Sequence, residues 1–461
     1  MNKYLLSKIF FPAYHTLTGT GLMSCLRQAR MTQWYSPEQL RRLQQEKLCR
    51  LFVHAWNHVP FYRHRFEQAG LTKNDLGNSE ALTRIPLLTK QDINRNKENM
   101  VARNGAGGRL FANSTSGSTG EALRFFTDMR SWAARRAASI RNQEWMGVFL
   151  GDRQVSLWGA PMDIRKSKKL RGVIHQWFNN YTLLSSYDLS PESLRGYVAQ
   201  LHRFQPVLLT SYPGPLYELA RFMCDQNLIG PPLRAIISSA ETLYSWQREA
   251  TIQVFHCPVY NRYGCREFGD IAHECKQHDG LHLNAERVIV EILDQELSPC
   301  ANGTSGEIVI TDLDNFGMPL IRYRIGDQGS FASRQCSCGL GLPLLETIDG
   351  RTMDVIRTPS GKAFGGTFWT FLFKSKPGIR SFQVVQSSLD AIVVRYVPDP
   401  GVKEIPLAFF AARIYEHCGD AFKVDFEEVE QIEKTASGKT RFIRSLLHED
   451  HMRTPSPRSD V

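Results

Sequence analysis

The sequence predicts an α/β protein: a large N-terminal α/β domain with a β-rich subdomain, followed by a small mobile α+β C-terminal domain. Three observations lead there. Short apolar runs bounded by turn residues, "RQVSLW" (153–158), "PVLLTSY" (206–212) and "LRAIISSA" (233–240), alternate with helical patterns such as "PLYELARFMC" and "WQREATIQVF". Strands alternating with helices make a substantially parallel sheet. From about residue 281 the period changes, and "VIVEIL", "GEIVITDL" and "GSFASR" read as short strands divided by Gly and Asn turns. After "IDGRTMD" (348–354) a new strand–helix pattern begins, with "SFQVVQ", "AIVVRYV" and "FKVDFEEV" as strands. The expected boundaries are therefore 1–348, 349–446 and a polar, disordered tail at 447–461.

Taken in order, the N-terminal "MNKYLLSKIFFPAYHTL" has a lysine and a proline among its apolar positions, which spoils it as a signal peptide. It reads as an ordinary buried first helix, with a place on a membrane surface as the rival reading. Ser36 and Pro37 form an N-cap and first helical position before "EQLRRLQQEKLCRLFVHAW", so residues 36–69 read as helices. A loop and short helix fill 80–100. The Gly-rich "ARNGAGGRLF" then leads into "STSGSTGEALRF" (114–125).

Composition narrows the function classes. The 461 residues include 56 Lys and Arg against 46 Asp and Glu, a net charge of +10. That balance suits nucleic acid, an anionic membrane or an anionic small molecule. The excess is spread along the chain, "RKSKKLR" (165–171) being the only dense cluster, and no aromatic-plus-basic face favours nucleic acid. No apolar run approaches the ~20 residues of a membrane span. Ten irregularly spaced cysteines fit a reducing cytoplasm with some metal use rather than a disulfide framework.

Four stretches carry chemistry. In "STSGSTGE", Gly117 and Gly120 permit positive φ, so backbone N–H groups can converge on one concavity beside the hydroxyls of Ser114, Thr115, Ser116, Ser118 and Thr119. Such a nest suits phosphate oxygens; a polar hairpin fits the same residues equally well. In "YGCREFG" (263–269), Tyr263 offers a ring that can stack on a base, and Glu267 a carboxylate that can hold Mg²⁺. "YRIGDQG" (323–329) places Asp327 in a Gly-flanked turn, where it could accept both ribose hydroxyls. "TASGKTRF" (435–442) puts Lys439 behind a glycine, and misses a Walker A loop because Glu433 stands where Gly is required.

The succession "STSGSTGE", "SSAET", "YGCREFG", "YRIGD", "GRTMD", "SGKTR" resembles the adenylate-forming superfamily of acyl-CoA synthetases and adenylation domains. Within it, "LFVHAWNHVPFYRHRFEQAGL" and "FNNYTLLSSYDLSPESL" are similar to the phenylacetate–CoA ligase and CapK-like branch, over roughly residues 36–446. The resemblance implies that the loop 114–120 wraps the β- and γ-phosphates of ATP, and that the strand end at Ser239, Ala240 and Glu241 meets the adenine. It implies that Tyr263, with Gly264 beside it, stacks on the base. Glu267 would hold Mg²⁺, Asp327 the ribose, and Arg351 the arginine's place in the following motif. Lys439 would bridge the substrate carboxylate and the α-phosphate, brought in by rotation of the C-terminal domain about "DGRTMD".

A metal site is a further expectation. Cys275 lies seven residues before His282, and "CSCGLGLP" supplies Cys336 and Cys338; three thiolates and one imidazole complete a tetrahedral structural Zn²⁺ site. His273 and His278 are rival ligands, and the family pattern favours the first four.

The expected function is ATP- and Mg²⁺-dependent activation of a carboxylic acid, aryl or arylacetic, to acyl-AMP with release of pyrophosphate. Transfer to a thiol such as coenzyme A, or to an amine, follows, and the CapK-like resemblance implies cell-surface polysaccharide or secondary-metabolite assembly. The acid pocket is expected near 181–187, 210–217 and 236–242. A catalytically inactive nucleotide-binding scaffold of the same fold is the rival. The sequence leaves monomer and homodimer open. Glu121 also departs from the basic residue the family commonly has there.

Overall fold

A computed structural model describes residues 2–105, 109–115, 123–158, 172, 176–186, 189–351, 356–359, 363–364, 369, 372–373, 378–400, 402, 404–419, 422–433 and 441–447. The chain divides into two compact units, 1–348 and 349–461.

In the large unit, α1 (Lys3–Leu5) runs through a π-helical turn (Leu6–Phe10) into α2 (Phe11–Leu17), and α3 (Leu22–Thr32) follows. The expected buried first helix is only half so. Leu6, Phe11 and His15 are buried, while most other apolar side chains of residues 4–17 are exposed.

α4 (Pro37–His58) starts where the sequence places it. The Ser36 hydroxyl accepts from the Gln39 amide (3.2 Å), the Gln39 side chain accepts from the Ser36 amide (2.9 Å), and Pro37 stands at the first position. α5 (Pro60–Gln68) packs Phe66 against Phe52 of α4, their ring centroids 5.6 Å apart. Buried Tyr62 on α5 donates to the Pro319 carbonyl and accepts from the Ile321 amide, both at 3.0 Å, which pins these helices to the chain entering the site. The short α6 (Ala81–Arg84) and α7 (Lys90–Asn96) cover the loop that the sequence indicates.

β1 (Leu110–Ser114) and β2 (Arg124–Asp128) pair antiparallel, and α8 (Met129–Trp145) leaves directly from the Asp128 cap. The main sheet orders its strands β10-β11-β12-β13-β9-β8-β7-β6-β5-β3-β4 among the described residues. Its parallel half comprises β4 (Tyr181–Leu184), β3 (Gln154–Leu157), β5 (Leu208–Ser211), β6 (Ala235–Ser239) and β7 (Val259–Cys265). The interleaved helices α9 (Pro191–Phe204), α10 (Pro213–Asp225) and α11 (Ser245–Phe255) supply the crossovers. The rest is antiparallel: β8 (Gly269–Glu274), β9 (Leu281–Leu283), β10 (Val288–Leu293), β11 (Gly306–Asp312), β12 (Tyr323–Phe331) and β13 (Leu344–Arg351). The β-rich strands thus extend the parallel ones in one continuous sheet.

The small unit holds a two-residue pair, β14 (Ile356–Arg357) with β15 (Ala363–Phe364), and a four-stranded sheet. There β16 (Ile379–Ser388) and β17 (Ala391–Pro398) form a hairpin, flanked in parallel by β19 (Ile443–Ser445) and β18 (Lys423–Glu428). α12 (Leu407–Cys418) buries Phe410, Ile414 and Cys418 in a core with Phe373 and Phe382. The polar tail from 448 lies outside the described residues.

Candidate functional site

The parallel strands end in register. Leu157 stands opposite Ser211, Ser211 opposite Ser238, and Ser239 opposite Arg262, so their carboxyl ends share one edge. Ligands of open α/β sheets bind along such edges. Ala240, just past β6, has φ +71, a left-handed conformation that costs an alanine about 1–2 kcal/mol. Strain of this kind collects at functional sites. Beside it the Ser239 hydroxyl donates to the Arg262 carbonyl (2.8 Å) and accepts from Arg262 Nε (3.1 Å).

Tyr263 lies inside β7, one residue beyond Arg262. Its hydroxyl donates to Asp327 Oδ2 at 2.8 Å, uniting two candidates 64 residues apart in sequence. Asp327 itself is not in a turn but within β12. The pairing with β11 jumps there from Val309–Arg324 to Glu307–Gln328, and Gly326 has φ +83, so Asp327 sits on a bulge. A bulge leaves a residue unpaired and re-aims its side chain, which is how Asp327 meets a ring five strands earlier in the chain. Gly264 has a separate reason. A Cβ there would come within 2.4 Å of the Gly269 carbonyl, across the tight turn from β7 to β8.

That turn carries Glu267, buried at 8% exposure. It is held from behind by a residue the sequence did not single out. Arg135 of α8 donates to the Arg266 carbonyl (3.2 Å) and to the Glu267 carbonyl. Its remaining donors reach Asp312 (2.8 Å) and the Ser131 hydroxyl (2.9 Å). No local pattern marks Arg135, because its carbonyl and carboxylate partners lie more than a hundred residues downstream. Burial, and after it the Glu267 carboxylate, raises the Cys265 thiol well above its ordinary range, so that thiol stays protonated.

The phosphate-loop candidates divide. Ser114 ends β1 opposite Arg124, and Arg266 donates to its carbonyl at 2.9 Å. The Thr115 amide donates to the Leu123 carbonyl (2.9 Å), and the Leu123 amide to the Thr115 hydroxyl (3.1 Å), closing the stem of a hairpin. Ser116, Gly117, Ser118, Thr119 and Gly120 lie outside the described residues, as do Lys439 and residues 352–354 of the hinge motif. Glu241 follows Ala240 on the strand-end segment, and Arg351 is the last residue of β13.

Towards the expected acid pocket, the rings of Trp158 and Tyr212 lie with centroids 3.9 Å apart, tilted by 31°, and the Arg262 guanidinium lies 5.7 Å from the Trp158 centroid. Arg262 also approaches Asp270 at 3.5 Å, and Ser139 donates to that carboxylate at 2.7 Å. Burial alone would raise Asp270; Arg262 and the Ser139 hydroxyl outweigh it and hold the carboxyl below its usual range.

Behind this face a second cluster forms from β8, β9 and the segment before β13. The ligand atoms of Cys275, His282, Cys336 and Cys338 all lie within 4.8 Å of one another. Cys275 and Cys336 sulfurs are 3.6 Å apart, and Cys338 Sγ is 3.2 Å from His282 Nε2. The Leu342 carbonyl accepts from His282 Nδ1 (3.1 Å), which leaves the Nε2 lone pair facing the sulfurs. Burial pushes the Cys275 thiol up to about 12 and also raises Cys338, while it lowers His282. The rival histidines lie outside this group of ligand atoms. His273 Nδ1 bonds the Glu274 carbonyl (2.8 Å), and His278 lies 3.0 Å from the Glu274 carboxylate.

Residues 356–445 match the CapK C-terminal domain. Protein CapK of Staphylococcus aureus is 26% identical over 388 residues, covering 81% of this chain and 83% of its own. Phenylacetate-coenzyme A ligase of Thermus thermophilus is 24% identical, covering 69% and 72%. Among solved structures, 2-hydroxyisobutyryl-CoA ligase in the postadenylation state with 2-HIB-AMP superposes with a TM-score of 0.73 at 19% identity, covering 91% of this chain and 93% of that one. ATP-bound MatB from Rhodopseudomonas palustris superposes at 0.51 with 15% identity, covering 72% and 66%. The resemblance read from the motifs stands: the chain's relatives are CapK and phenylacetate-CoA ligases, and its fold is that of acyl-CoA ligases of the adenylate-forming superfamily.

Proposed function

We propose that this chain is an adenylate-forming ligase that converts a carboxylic acid and ATP to acyl-AMP and pyrophosphate, then passes the acyl group to coenzyme A. The observation that carries this reading is the Tyr263–Asp327 hydrogen bond, with Glu267 four residues beyond Tyr263 on the turn that Arg135 holds. A ring for the base, a carboxylate for the ribose and a carboxylate for the metal then stand on one contiguous edge, next to the hairpin stem of the Gly-Ser loop. The kinship with phenylacetate-coenzyme A ligases supports the ligase chemistry. An amine is the alternative acceptor.

The residue roles are those the family resemblance implies, and charge gives them a physical reason. Attack of a carboxylate on the α-phosphorus brings two anions together, so positive charge must be positioned where the transition state develops it. Lys439 bridges the acid carboxylate and the α-phosphate, and the loop 114–120 cradles the departing pyrophosphate through its backbone amides. Asp327 accepts from the ribose, Tyr263 stacks on adenine, the backbone of Ser239, Ala240 and Glu241 lines the base, and Arg351 completes the nucleotide contacts. Glu267 suits Mg²⁺, a hard cation that takes one or two carboxylates together with substrate phosphates; bound there, it would neutralise phosphate charge. The paired rings of Trp158 and Tyr212 favour an aryl or arylacetic acid.

Cys275, His282, Cys336 and Cys338 would hold a structural Zn²⁺. The fit is geometric: zinc–sulfur bonds of about 2.3 Å give tetrahedral sulfur–sulfur edges of about 3.8 Å, and the observed separation is 3.6 Å. A donor set with no open position suits structure rather than catalysis.

ATP–pyrophosphate exchange against a panel of aryl and aliphatic acids, with and without coenzyme A, tests the reading. Exchange with at least one acid, abolished in Lys439→Ala, is expected. Silence across the panel from zinc-replete folded protein would leave the nucleotide-binding scaffold as the function.

A further inference from the structure

Among the described residues, six of the seventeen exposed large apolar side chains fall within residues 4–17: Tyr4, Leu5, Ile9, Phe10, Tyr14 and Leu17. So dense a patch on a folded surface marks an interaction site. The helix bearing it is fastened from its other side. Leu6 and Phe11 are both buried, and their five-residue separation matches the wide π turn between them. Phe11 packs with Leu22, Leu26, Ala133 and Ile140. The Lys3 ammonium pairs with Asp152 at 2.5 Å. The helix is therefore laid flat against the large unit, with its remaining apolar side chains turned outward. The patch extends past the helix through exposed Phe149, over which Lys3 lies, and through exposed Trp177, next to Phe178, whose ring is 6.0 Å from Tyr14.

Charge identifies the occupant. Residues 1–37 contain no Asp or Glu; of their basic residues Lys3 and Arg30 pair with Asp152 and Glu144, and Lys8 and Arg27 are exposed. A second copy seated face to face would bring the same basic residues opposite one another, since a two-fold interface is self-complementary. An anionic bilayer supplies the opposite charge instead. Tyr and Trp, apolar rings with a polar atom, suit the headgroup boundary. Fifteen helical residues rise only about 22 Å, too short to cross a membrane. No helix among the described residues is long and apolar enough to do so.

We propose that this helix docks the protein on an anionic phospholipid surface, lying in the interfacial plane with Leu5, Ile9, Phe10, Tyr14 and Leu17 in the headgroup–acyl boundary. An apolar face flanked by basic residues binds in this way, by buried area and by attraction to acidic headgroups.

The test is co-sedimentation of the full chain with vesicles of phosphatidylcholine alone, or of phosphatidylcholine with phosphatidylglycerol. Binding to the phosphatidylglycerol vesicles is expected, weakening in high salt. Phe10→Asp, an exposed position whose melting temperature should match the parent's, is expected to lower partitioning about tenfold or more. Lys8→Glu should lower binding to the anionic vesicles only. No vesicle binding, equal binding to both compositions, or binding untouched by Phe10→Asp would overturn the proposal. So would a stable dimer in lipid-free solution that Phe10→Asp dissociates, because the patch would then belong to a second copy.

Discussion

The Tyr263–Asp327–Glu267 edge and the Cys275–His282–Cys336–Cys338 cluster hang from neighbouring strands of one sheet, yet they are built in opposite ways. The cysteine and histidine side chains converge on each other, with sulfurs 3.6 Å apart and the imidazole held from behind by a backbone carbonyl. The nucleotide edge closes on itself only through the Tyr263–Asp327 hydrogen bond. The turn bearing Glu267 is steadied by Arg135, which grips backbone carbonyls rather than the functional carboxylate. A site whose ligand atoms all converge stores stability; one steadied through its backbone keeps its carboxylate for a ligand. The two should therefore fail differently when broken.

The sharpest separation is expected from Glu267→Gln. Adenylation should fall by about 10²–10³, as for other losses of one transition-state charge contact, with the melting temperature little changed. A comparable fall in melting temperature would mean that the carboxylate is structural. Cys338→Ser should do the reverse. Zinc content measured by mass spectrometry should drop from about one equivalent to below half. Unfolding should cost about 3 kcal/mol less, within the range for losing a metal site, while kcat at 25 °C stays near the parent value. Finding no zinc in the parent protein would break the comparison outright.

Arg135→Met lies between the two. Without its fork, the turn bearing Glu267 loses two carbonyl partners, and kcat should fall about tenfold as the carboxylate drifts from its position. The Mg²⁺ concentration for half-maximal rate should rise with it, a shift that a merely structural arginine would not produce. The smallest effect is expected for Asp327→Asn. The neutral side chain still accepts a hydrogen bond, so KM for ATP should rise about fivefold, equivalent to about 1 kcal/mol, with kcat nearly unchanged.

Legibility in the sequence followed the range of the interaction. The Ser36–Pro37–Gln39 helix start, the alternation of strands and helices between 153 and 255, and the β-rich run after 281 are local features, and the structure has them where the pattern placed them. Motif residues were legible as a succession, but their geometry was not. Asp327 reads as a turn residue because Gly flanks it, whereas pairing with β11 draws it into a bulged strand. The rival ligands His273 and His278 are indistinguishable from His282 by spacing. Only the strand pairing that turns His282 toward Cys338, while Glu274 takes up both others, separates them.

The N-terminal helix makes the same point in another way. Its apolar residues read as a buried helix, because burial is the usual fate of such a pattern. Whether a neighbour exists to cover each side is decided by distant parts of the chain: α3 and α8 pack on Phe11, and of the stretch's apolar side chains Leu6 and Phe11 are buried while six stay exposed. By itself, then, the sequence determined what depends on contiguous residues: helix caps, strand periods, glycine-rich turns and the inventory of reactive groups. Tertiary structure alone decided which groups meet, namely Tyr263 with Asp327, Arg135 with the Glu267 turn and three thiols with one imidazole. It also decided which apolar face stays in water. Those outcomes require loops of tens to hundreds of residues to close, and they are selected by the packing of the whole sheet rather than by any local preference.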